Sequence, residues 1–118
     1  MTQIERAAQM AASWWAARLE SGDKEKFKAR LAELIAAGLS APECLAGGDL
    51  IIKTDYDPDD ILLDALAVAG VECAGSMFSC DGILPMKTLL RVSQHRMKPK
   101  EGYGNWTAEI EIPEVVIA

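Results

Sequence analysis

Apolar residues at Ile4, Ala7, Ala8, Ala11, Trp15 and Leu19 recur three and four positions apart. That spacing gathers them on one face of a helix and predicts a helix over about 2–20. Alanine is frequent there and loses no side-chain entropy on becoming helical. Ser21-Gly22-Asp23 punctuates the pattern, with Gly22 suited to ending one helix and Asp23 to capping the next. Phe27, Leu31, Leu34 and Ile35 form the stripe of a second helix over 23–37, which Gly38 stops. So short a turn between two amphipathic helices predicts an antiparallel hairpin. Residues 39–48 read as a connection holding one helical turn, in which Ser40 and Glu43 have capping-box spacing.

From Gly47-Gly48 onward the pattern changes. Leu50, Ile51 and Ile52 predict a strand over 49–56. A third helix is expected over 58–69, with Asp57 as N-cap, Pro58 in the first helical position, and Ile61, Leu62, Ala65, Leu66 and Ala69 buried. Further extended segments are expected over 71–78, 86–93, 96–101 and 106–112. Pro99 assigns the third of these to a sheet edge, and the last sets Trp106, Ala108, Ile110 and Ile112 on one face. Helices first and an antiparallel sheet after make a single α+β domain over 1–118: an N-terminal helix hairpin and a third helix packed on a small sheet.

Composition bounds the class. The chain has 118 residues, half of them hydrophobic, and a formal net charge of −6. A core of this size buries roughly two-thirds of the unfolded chain's surface without a staple. No apolar run approaches the roughly 20 residues of a membrane span. The start carries Glu5 and Arg6 in place of a secretory apolar stretch, so a soluble cytoplasmic protein is expected. The low pI, about 4.7, argues against direct nucleic-acid binding, because that needs cations to displace counterions.

The charge is uneven. Residues 39–82 hold nine acidic residues against Lys53 alone, while both flanks are near neutral. Five carboxylates, Asp55, Asp57, Asp59, Asp60 and Asp64, fall within ten residues. Such a patch attracts a cationic partner or a metal ion. Asp55-x-Asp57-x-Asp59 has the alternation of the first ligands of a calcium loop, since hard cations take several oxygens. The match then fails, because Asp60 occupies the glycine position and Leu66 the bidentate-glutamate position. An Asp-x-Asp after a strand also suits an aspartyl phosphotransfer nucleophile, but the supporting Lys and carboxylate set is missing. The plainer role for these acids is at a helix N-terminus, where they satisfy free N–H groups and complement the helix dipole. No metal or cofactor is therefore expected, and no catalytic set.

Cys44, Cys73 and Cys80 have no C-x-x-C spacing and fit no zinc module. They read as reduced thiols. His95, the single histidine, would complete a Cys₃His set or a Cys–His nucleophile pair with Cys73 or Cys80 only if the fold gathered them, and a turn exposed to solvent is the simpler place for it. Trp14 and Trp15 are expected in the core, with a partner-binding anchor as the alternative. The apolar tail, Ile112, Val115, Val116 and Ile117, is expected to pack on its own domain or on a second copy in a homodimer.

Several phrases carry a resemblance: Trp14-Trp15 in a helical opening, Thr54-Asp55-Tyr56-Asp57-Pro58, Met77-Phe78-Ser79, Asp81-Gly82-Ile83-Leu84-Pro85-Met86-Lys87-Thr88 and Glu101-Gly102-Tyr103-Gly104. Across about 10–106 the chain resembles small uncharacterised accessory proteins encoded in phages and prophages of proteobacteria. The resemblance implies a dispensable accessory gene. By class analogy it implies a stoichiometric inhibitor of host defence or of a nucleic-acid-handling protein, of the anti-CRISPR or DNA-mimic kind. The reading that joins these strands is a non-enzymatic interaction protein. It would bind a basic host or immunity protein through Asp55, Tyr56, Asp57, Asp59, Asp60 and Asp64. The alternatives are a divalent-metal protein or metal-dependent enzyme built on Asp55 to Asp60, and a toxin-neutralising immunity protein, which would also bind a basic partner by charge complementarity.

Overall fold

A computed structural model of the chain describes residues 1–54, 58–71, 83–102 and 106–116. The first helix, α1, runs Gln3–Ala16 and opens with a reciprocal capping box: Glu5 N–H donates to Thr2 Oγ1 and Thr2 N–H donates to the Glu5 carboxylate. It ends four residues earlier than its apolar spacing predicts. Beyond it the chain turns to pass under residue 83, and Glu20 N–H donates to the Ile83 carbonyl at 2.9 Å. The second helix, α2, spans Lys24–Leu39, with Asp23 accepting from Glu25 N–H and Lys26 N–H as its cap. The two helices pack together.

Gly22 makes the joint between them possible. Its φ is +92°, and a Cβ there would sit 2.5 Å from Val71 Cγ2. The adjacent Asp23 N–H donates to the Ala69 carbonyl. The interhelix turn therefore rests on the end of a later helix, and only glycine allows the approach.

A single turn of helix, α3 at Pro42–Leu45, follows. The capping box expected at Ser40 does not form. Ser40 instead closes α2, its hydroxyl donating to the Ala36 carbonyl, and α3 starts on Ala41 without a side-chain cap, Pro42 opening its first turn. Strand β1 covers Leu50–Thr54, and helix α4 covers Asp60–Val68. The start of α4 corrects the expected helix at Pro58. Pro58 forms an antiparallel bridge with Thr54, and Asp59 N–H donates to the Lys53 carbonyl. The chain thus folds back along the edge of β1 before it can become helical. Asp57, the expected N-cap, lies outside the described residues, and Asp59 holds the N-cap position.

The sheet is antiparallel and runs β1-β2-β3-β4, with β2 at Thr88–Val92, β3 at Arg96–Lys100 and β4 at Ile110–Glu111. This is the α+β arrangement expected. The register sets Ile52 beside Leu90, Leu90 beside Pro99, and Val92 beside Met97, all buried. These join Trp15, Phe27, Leu31, Ile35, Leu62 and Leu66 in one core between helices and sheet. Thr54 and Thr88 are buried among them. The Thr54 hydroxyl donates to the Pro85 carbonyl and accepts from Thr88 N–H, so neither buried group is orphaned.

Pro99 is not on an outer strand, because β3 lies between β2 and β4. Its carbonyl accepts from Thr107, on the side away from β2, so its missing N–H also faces away and the β2 ladder stays complete. The last expected strand shrinks to two residues. Ile112 is buried as expected, but Trp106 and Ala108 are exposed, because alternation cannot extend through the irregular residues 106–109. Residues 72–78 of the segment expected after α4 lie outside the described residues. Among the described residues no helix is long and apolar enough to cross a membrane.

Candidate functional site

Of the six residues expected to bind a partner, Asp55, Tyr56 and Asp57 lie outside the described residues. The other three have distinct surroundings. Asp59 is half-buried, and its carboxylate accepts from Lys53 N–H at 2.9 Å. With the Asp59 N–H bond to Lys53 O, this residue imitates a neighbouring strand and closes part of the β1 edge. Asp60, in the first turn of α4, is exposed. Asp64 meets Arg30 of α2 in a two-pronged pair, Nε to Oδ1 at 2.8 Å and Nη2 to Oδ2 at 3.1 Å, and Glu33 adds a third contact to the same guanidinium. Arg30's hydrogen bonds and charge hold the Asp64 carboxyl below its ordinary range, and Arg30 is raised in turn. The carboxylates are therefore not equivalent: Asp64 ties α4 to α2, Asp59 closes an edge, and Asp60 faces solvent.

Among the described residues no three His, Cys, Asp or Glu side chains gather as a ligand set for a metal ion. Cys73 and Cys80 lie outside those residues. Cys44 and His95 line one open cleft of about 720 Å³, with Asp49, Arg96, Glu109 and Glu111. No spacing in the chain joins Cys44 to His95. They line it together because α3, just before β1, and the turn after β2 lie at the same end of the sheet.

Trp14 and Trp15 are core residues, 8% and 0% exposed. Their rings meet edge to face at 5.1 Å, and Arg18 lies over Trp14 while binding Glu101. The tail is held to its own domain through its backbone, Val115 N–H donating to Gln3 Oε1 and Arg6 to the carbonyls of Pro113 and Glu114. Of its apolar residues Ile112 is buried, Val116 is 85% exposed, and Ile117 lies outside the described residues.

A second surface is not apparent from the linear pattern. On the solvent side of the sheet the register aligns Ile51, Arg91 and Lys98 in one row and Lys53, Leu89 and Lys100 in the next, with Arg96 beside Glu111. Five of the chain's 12 basic residues thus share one face. Trp106 lies against them, its ring centre 5.0 Å from the Arg91 guanidinium, 5.9 Å from Lys98 Nζ and 5.7 Å from Lys100 Nζ. The signal for it is Arg96-x-Lys98-x-Lys100, whose period of two places all three cations on one side of a strand.

No protein-family model matches the chain, and no curated protein matches it in sequence.

Proposed function

We propose that the chain is a small interaction protein that binds a basic surface of another protein through its acidic segment. The observation that carries this is the segregation of charge. Lys53, the one basic residue within 39–82, lies on the outer face of the sheet with Arg91, Arg96, Lys98 and Lys100. The exposed Asp60 leads the binding set, with Asp55, Tyr56 and Asp57 beside it in sequence and Asp59 behind it. Asp64 serves the set indirectly, by fixing α4 against α2 through Arg30. The resemblance to phage and prophage accessory proteins suggests the partner: a cationic protein of host defence or nucleic-acid handling, which this chain would occupy stoichiometrically.

The test is affinity capture from a bacterial lysate by the full chain, beside a chain carrying Asp57→Asn and Asp60→Asn. A basic partner should be retained at about 50 mM salt and released by about 500 mM, as screening shortens the reach of the charges. The double variant should retain much less of it. Capture indifferent to salt and to both substitutions would refute the proposal. Calorimetry with Ca²⁺, Mg²⁺ and Mn²⁺ separates this from the metal-binding alternative, which requires heat of binding at millimolar ion.

A further inference from the structure

The outer face of the sheet has a composition that structural charges do not explain. Packing needs nothing from it, because the opposite face carries the core. Yet it presents Lys53, Arg91, Arg96, Lys98 and Lys100, against three described carboxylates, Asp49 at 3.7 Å from Arg91, Glu111 beside Arg96, and Glu109 in the cleft that Arg96 lines. Trp106 lies among these cations and remains 37% exposed, and Ile51 on the same face is 45% exposed. An indole packed over cations with part of its surface open to solvent suits a ligand that is both flat and anionic.

We propose that this face binds single-stranded nucleic acid. A base stacks on Trp106, and successive phosphates meet Arg96, Lys98 and Lys100 along β3, with Arg91 beside Lys98 on β2 and Lys53 on β1 flanking the row. Alternate residues of β3 are about 6.6–6.8 Å apart, so its three cations form an even row along which an extended strand can lie. Base–aromatic stacking together with a cationic track is sufficient for binding that ignores sequence. An acidic polypeptide would use the cations but gain nothing from the ring. A duplex keeps its bases stacked on each other and offers no π-face. The net charge of −6 weakens the interaction without abolishing it, because at physiological salt the more distant acids are screened beyond about 8 Å. The two proposals rest on different side chains, this one on the five cations and Trp106 and the other on Asp55 to Asp64, so either can fail without the other.

The full chain is titrated with a labelled oligothymidylate of about twenty nucleotides, longer than one such site requires. Its duplex and polyglutamate are run in parallel, with anisotropy, tryptophan emission and mass in solution as readouts. Trp14 and Trp15 are buried, so quenching by a stacked base reports Trp106. The single strand should bind saturably, quench emission, and outcompete both duplex and polyglutamate. Trp106→Ala should weaken binding about tenfold or more and remove the quench, while Trp106→Phe keeps most of the affinity. Lys98→Gln with Lys100→Gln should flatten the salt dependence by about 0.7 in log–log slope for each phosphate no longer neutralised. Absence of binding overturns the proposal. So does binding that polyglutamate matches and Trp106→Ala leaves unchanged, which assigns the face to an acidic protein. Self-association that the oligonucleotide cannot reverse also overturns it, assigning the face to a second copy.

Discussion

Asp64 shows how a carboxylate in an acidic run can be structural. Its partner Arg30 comes from another helix, 34 positions away, and the pair is two-pronged. Because Arg30 lowers the folded-state pKa of Asp64 below its ordinary value of 3.8, the pair stabilises the fold fully above that value. The contribution is lost as pH falls through the lowered pKa. Asp64→Asn should therefore be less stable than the parent at neutral pH, and its melting temperature should fall less steeply from about pH 5 to pH 3. Parallel melting curves at every pH would contradict this. Asp59 makes the same point by another route, since its carboxylate stands in for a strand at Lys53. Neither role was legible in the sequence, where the five acids differ only in position. Their partners are supplied by tertiary folding: Arg30 by the packing of α4 on α2, and Lys53 N–H by the chain doubling back on β1.

Among the elements, α1 and α2 were legible because fourteen and sixteen residues give several turns of apolar periodicity. Strands β2 and β3 were legible from their alternation and the break between them. The starts and ends were less so. Helix α4 begins late because Pro58 is taken by a bridge to Thr54, and β4 is short because residues 106–109 leave the sheet's alternation. That early departure brings Trp106 to the solvent side, opposite to its expected place beside Ile110 and Ile112. The tail was expected to pack on its own domain or on a second copy. Within the chain it meets α1 through Gln3 and Arg6, and Ile112 N–H donates to the His95 carbonyl. Removing residues 114–118 deletes the Val115 N–H bond to Gln3 and the Glu114 carbonyl that Arg6 binds. This should cost about 1–2 kcal/mol by urea unfolding. Unchanged stability would show that these hydrogen bonds are exchanged for water at no cost.

For the whole molecule, net charge and local charge point to different partners. A pI near 4.7 describes the chain on average and excludes a generally basic protein. It is silent about a face on which the sheet's alternation collects five cations and an exposed indole, while described acids of the central segment lie in α3 and in and before α4, as Glu43, Asp59, Asp60 and Asp64. The sequence contained both sets, but only the register shows that one set shares a plane. Segregation is the common premise of both binding proposals, and chromatography tests it directly. At pH 7.5 and low salt the folded chain should be retained on a sulfonate cation exchanger despite its negative net charge. Lys98→Glu with Lys100→Glu should release it. A parent chain that passes straight through the column would contradict the claim that its charges are segregated.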